Sequence, residues 1–164
     1  MNGLHPSRAL AALRGAAADL PARVTEQVAQ LVRNTPTDRL EQLMGSPARR
    51  VVLEVIFRQM PRRLDRGRAR GTEATIRWEI TGGPGGGKDT YQVEIKDGDC
   101  RVRRDPDGSD PQVTLTLDGA EFLRIATGAT DPTRAYFSGR VTVSGDVMAA
   151  AKLGTLFVRP GAGG

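Results

Sequence analysis

Between Pro21 and Leu43 the apolar positions recur with helical spacing. Val24, Val28, Leu31 and Val32 fall at i, i+4, i+7 and i+8, one stripe on a polar cylinder. Thr35-Pro36-Thr37-Asp38 then carries the signals of a second start: Thr35 as N-cap, Pro36 at the first helical position, and the Asp38 carboxylate near the positive end of the helix. Leu40, Leu43 and Met44 follow, and Gly45 ends the segment. Ser46-Pro47 opens a third helix with a broad apolar face of Val52, Leu53, Val55, Ile56, Phe57 and Met60. Pro61 interrupts it by removing a backbone donor.

After Gly71 the period drops from 3.6 to 2. Ala74, Ile76, Trp78 and Ile80 alternate with Thr75, Arg77 and Glu79, and Tyr91, Val93 and Ile95 alternate with Gln92, Glu94 and Lys96. Asp97-Gly98 predicts a tight hairpin into Cys100 and Val102, and Asp105-Pro106-Asp107-Gly108 a further turn into Val113, Leu115 and Leu117. Read in order, these strands predict an antiparallel meander with one apolar face for helices to cover. Asp118 and Glu121, at capping-box spacing, start a helix through Phe122, Leu123, Ile125 and Ala126 that Gly128 ends. Asp131-Pro132 starts a short one through Tyr136 and Phe137, ended by Gly139. Val141 and Val143 add a last strand, Asp146 to Phe157 reads as a terminal helix over the sheet, and Gly161 to Gly164 as a frayed end. The predicted class is α+β, a mostly antiparallel sheet with helices on one face and an N-terminal helical extension.

The length of 164 residues suits one domain. With 38% apolar and 26% charged residues, and a mean hydropathy of −0.36, the composition is that of a water-soluble globular protein. No run approaches the roughly 18 to 20 apolar residues of a membrane span. Ala9 to Ala18, broken by Arg14, does not read as a signal peptide. Cys100 is the single cysteine, which excludes an internal disulfide or a thiolate metal cluster and fits a reducing, cytoplasmic setting. The excess of 24 basic over 19 acidic residues, mostly arginine, favours anionic partners. Richness in Arg, Ala and Gly points to a bacterial source.

Few residues invite chemistry. Gly82 to Lys88 nearly matches a phosphate-binding loop, but Asp89 stands where a magnesium-binding Ser or Thr belongs, and Thr90 to Ile95 alternate as a strand instead of opening a helix. A hairpin connector is expected. His5 is the only histidine, so a histidine metal site or base has no second member. The pairs Asp97 with Asp99 and Asp105 with Asp107 suit turn chemistry, and Cys100 falls on the apolar side of its strand. No catalytic residue, metal or cofactor is therefore predicted. Arg58, Arg62, Arg63, Arg66, Arg68 and Arg70 crowd around Asp65. A solvated face is the plain reading; a headgroup or nucleic-acid footprint is the functional one, and the 4% aromatic content argues against nucleic acid.

Thr127-Gly128, Asp131-Pro132, Ala135-Tyr136-Phe137-Ser138-Gly139, Val141-Thr142-Val143, Gly145-Asp146 and Ala151-Lys152-Leu153 to Leu156-Phe157 resemble the motif of the sterol carrier protein-2 family. Ala129 replaces a lysine of that motif and Tyr136 the first of two phenylalanines. The resemblance runs over about residues 48 to 158. It implies a five-stranded sheet, an apolar tunnel between sheet and helices, and a non-catalytic carrier of sterols, fatty acids or acyl-CoA. The chain would divide into a helical extension, 1–45, and a lipid-binding domain, 46–160. The family layout puts Trp78, Phe122, Tyr136, Phe137, Met148, Leu153, Leu156 and Phe157 beside the tunnel, with Arg62, Arg63 and Arg66 toward anionic membrane headgroups. The alternative is an accessory domain with a collapsed pocket that docks a protein partner through its N-terminal helices.

Overall fold

The computed structural model describes residues 22–106 and 110–157; side chains are described from Gln27 onward, those of Leu153 and Gly154 excepted. His5, the Ala9 to Ala18 stretch, the Asp107-Gly108 half of the second turn, the Val24 side chain and the glycine tail lie outside the described set. Helix α1 (Ala22–Asn34) is followed by α2 (Thr37–Met44). Thr35 does not cap α2. Its hydroxyl donates instead to the Leu31 carbonyl at 2.7 Å, one turn back in α1, and Pro36 occupies the cap position with no side-chain bond. Gly45 ends α2 as expected, its amide donating to Glu41 at 2.8 Å. Helix α3 (Ala48–Gln59) begins where the Ala48 amide donates to Ser46 Oγ, and runs at Pro61 into a 3-10 turn, Met60–Arg63. The one-turn helix α4 (Arg66–Ala69) is capped by Asp65.

The sheet holds β1 (Glu73–Thr81), β2 (Asp89–Lys96), β3 (Asp99–Arg104), β4 (Val113–Asp118) and β5 (Thr142–Gly145) in the order β3-β2-β1-β4-β5. Asp97 and Gly98, with φ of 51° and 83°, make the hairpin turn that both need a left-handed backbone to form. The simple meander does not hold beyond β3. Strand β4 crosses to the far side of β1 and pairs with it in parallel, while the other pairs are antiparallel. The reason lies in what each strand can bury. Val113, Leu115 and Leu117 are all buried in β4, which suits a position between two neighbours. In β3, Cys100 and Val102 are only half-buried and Arg101 and Arg103 point to solvent, a composition fit for an edge.

Helices α5 (Gly119–Ala126), α6 (Pro132–Phe137) and α7 (Val147–Leu156) complete the chain, each capped by an aspartate: Asp118, Asp131 and Asp146. The register Ile76↔Val93, Trp78↔Tyr91 and Trp78↔Leu115 gathers the apolar side chains of β1, β2 and β4 on one face, where α3, α5 and α7 cover them. Ala29, Val32, Leu40 and Met44 of α1 and α2 are buried in the same molecule, with α2 resting on α5. Val28, on the expected stripe of α1, packs half-buried against this core. The architecture is thus an α+β fold with an N-terminal helical extension folded onto it.

Candidate functional site

Strands alternate and helices repeat every turn, so the apolar residues of both converge in one layer between sheet and helices. At its centre Phe57 of α3 stacks on Tyr91 of β2 with ring centroids 3.9 Å apart and on Phe122 of α5 at 5.1 Å. Trp78 of β1 meets the edges of Phe57 at 6.4 Å and Phe122 at 5.5 Å. Two buried polar atoms of these rings have no hydrogen-bond partner, the indole Nε1 of Trp78 and the hydroxyl of Tyr91, the latter within the field of Arg104, Asp89, Glu54 and Arg50. They sit on register-paired residues of adjacent strands. Burial pushes the Tyr91 phenol above its ordinary pKa, so it keeps its proton and remains a donor.

Of the residues expected beside a tunnel, Trp78, Phe122, Leu156 and Phe157 are in or against this core, Phe157 bridging backbone to backbone with Leu64. Three others face outward: Tyr136 is 40% exposed, Phe137 80% and Met148 77%. Helix α6 buries itself through Ala135 alone, which turns the aromatic pair that follows toward solvent. The Leu153 side chain lies outside the described residues. Arg62 and Arg66 are exposed, while Arg63 is half-buried and its pKa is lowered by that burial. Arg68 of the same segment donates to the Thr155 carbonyl at 3.2 Å, and the Asp65 amide to Leu156 at 2.7 Å, so this basic stretch is tied to the end of α7.

The glycine-rich loop is the β1–β2 connector, with a 3-10 turn at Pro84–Gly86. It frames an arginine that the sequence did not bring to notice. Arg49, 2% exposed, donates to Asp89 Oδ2 at 2.7 Å, to the Met44 carbonyl at 3.2 Å, to Thr81 at 2.8 Å and to Ile80. Asp89, which breaks the phosphate-loop pattern, is its counter-ion and also receives Arg104 at 3.1 Å. Burial alone would raise the Asp89 pKa, but the bonds and charges of Arg49 and Arg104 bring it below the ordinary carboxylate value. Cys100 is pushed up to about 11 by burial, so at neutral pH it is a thiol and not a nucleophile. Among the described residues no cluster of His, Cys, Asp and Glu could hold a metal ion, and no helix is long and apolar enough to cross a membrane.

A family model described as the SCP-2 sterol transfer family matches residues 53–158. Sterol carrier protein 2 of Homo sapiens is 32% identical over 84 residues, 51% of this chain and 15% of that protein. The peroxisomal multifunctional enzyme type 2 of Mus musculus is 30% identical over 103 residues, 60% of this chain and 14% of that one. The chain therefore spans a small part of these relatives' length. Among solved structures, the palmitated SCP2L2 of Aedes aegypti has a TM-score of 0.54 at 24% identity, over 63% of this chain and 91% of its own. The inverting sec-alkylsulfatase Pisa1 of Pseudomonas sp. has a TM-score of 0.58 at 18% identity, over 95% of this chain and 33% of its own. At these identities the likeness is one of fold.

Proposed function

Because the chain belongs to the SCP-2 sterol transfer family, a family of lipid-transfer modules and not of catalysts, we propose that it carries an apolar molecule with one polar end, such as a sterol or fatty acid, between sheet and helices. The observation behind this is the pair of buried donors without a hydrogen-bond partner, Trp78 Nε1 and Tyr91 Oη, on neighbouring strands of the aromatic layer. A buried polar group without a partner costs roughly 1–3 kcal/mol, which a ligand hydroxyl or carboxyl would recover. The rest of the ligand gains about 25 cal/mol per Å² removed from water. Tyr136, Phe137 and Met148, with Val147 at 48% exposure, are the exposed large hydrophobic residues among those described and offer the ligand an apolar landing. Arg62, Arg63 and Arg66 would hold the domain near anionic headgroups.

A second reading, an accessory domain with a filled interior, is favoured by the close stacking of Phe57 on Tyr91. Trp78 is the single tryptophan and decides between them. A brominated fatty acid should quench its emission saturably, and Tyr91→Phe should weaken that binding roughly tenfold through the lost hydrogen bond. Displacement by sterol, fatty acid or acyl-CoA then ranks the ligands. A folded protein whose Trp78 emission no brominated lipid quenches would establish the accessory reading instead.

A further inference from the structure

A second feature lies at the seam between the N-terminal extension and the family domain. Arg33 and Glu41, at the junction of α1 and α2, face Glu121, Arg124 and Arg140 across an open cleft of about 620 Å³. Residues 33–41 precede the segment that the family model covers, so this cleft is built in part from what is particular to this chain. Thr37 and Arg124 hold its two sides together, Arg124 Nη2 donating to Thr37 Oγ1 at 2.5 Å.

Glu121 is the deepest charged group of the cleft, 2% exposed. The capping-box spacing predicts that its side chain folds back on the helix start, and only half of that box forms: the Glu121 amide donates to Asp118 Oδ1 at 2.7 Å. The carboxylate turns to the arginines instead. Its Oε1 lies 3.8 Å from Arg124 and 3.5 Å from Arg140, and its Oε2 is buried with no hydrogen-bond partner. A carboxylate oxygen withdrawn from water in this way calls for a donor. Around it the charges balance, Arg33, Arg124 and Arg140 against Glu41, Asp118 and Glu121. Such a cleft has little net pull on a simple anion or a simple cation, and complements a molecule that carries both.

We propose that this cleft binds a small zwitterion, its oxyanion against Arg140 and Arg124 and its ammonium on the acidic side of the cleft, between Glu41 and Glu121. Phosphoethanolamine has this chemistry, whether free or as the headgroup of a phospholipid. The planar guanidinium fork suits a phosphate. The site goes beyond the carrier reading and is separable from it.

Calorimetric titration of the full chain with phosphoethanolamine, inorganic phosphate and ethanolamine tests the idea. Saturable binding of phosphoethanolamine is expected, at least tenfold tighter than either half alone, and weakened at least tenfold by Glu121→Gln and by Arg140→Gln. Arg140 is 60% exposed, so its variant keeps the fold should Glu121→Gln not, and it should leave quenching of Trp78 by brominated fatty acid unchanged. Sedimentation with phosphatidylethanolamine or phosphatidylcholine vesicles separates headgroup from free ligand, and retention on the first alone assigns the lipid source. Phosphate bound as tightly as phosphoethanolamine, or affinity indifferent to Arg140→Gln, overturns the proposal.

Discussion

Arg49→Met is expected to lower folding stability by about 3–5 kcal/mol, the cost of breaking a buried charge pair from one side. One side chain joins three parts of the chain: the end of α2 through Met44, the end of β1 through Ile80 and Thr81, and the start of β2 through Asp89. Methionine fills much of the volume and leaves those carbonyls and the Asp89 carboxylate short of donors. The surroundings are cut to fit. A Cβ on Gly119 would lie 2.7 Å from Met44 Cβ and 2.9 Å from Arg49 Nη1, and one on Gly83 would lie 2.8 Å from the Gly87 carbonyl. The pair also gives stability a pH dependence. The Asp89 pKa is depressed on folding, so its contribution is complete above the unfolded carboxylate value of about 4 and fades as pH falls through the lower folded value. Urea denaturation at neutral pH measures the effect; a loss below about 1 kcal/mol would contradict this account of Arg49.

Phe57→Ala is expected to cost a similar amount, about 3–5 kcal/mol, because the ring is 2% exposed and stacks on two aromatic neighbours that cannot both move into its place. The same substitution opens space where the ligand is proposed to sit. Fatty acid should therefore raise the melting temperature of Phe57→Ala more than that of the wild type, since a ligand that fills the void stabilises the folded form alone. Thermal melts with and without oleate measure both parts. An equal shift in the two proteins would remove Phe57 from the wall of the site.

Much of this molecule is legible in its residues. The turn at Asp97-Gly98, the aspartate caps at 118, 131 and 146, and the switch of period after Gly71 are local signals, and local geometry obeys them. What escapes is non-local. Nothing between Arg104 and Val113 says that β4 will cross to β1, because strand order depends on which strand can be buried from both sides. Arg49 looks like any helical arginine; its burial follows from Asp89, forty residues on, and from glycines beside it. The outward turn of Phe137 and Met148 is likewise invisible in a motif, for periodicity ranks faces within an element and does not tell which residues of a short helix another element will cover. Glu121 shows the same limit, since cap spacing identifies its position but not the arginines that claim its carboxylate.

Native mass spectrometry of the protein purified without detergent shows whether this domain holds an apolar molecule. The expected result is a species heavier than the bare chain by the mass of one sterol, fatty acid or acyl-CoA, lost on organic extraction and restored by adding that lipid back. A chain that flies bare, and stays bare after incubation with each of these lipids, would contradict it.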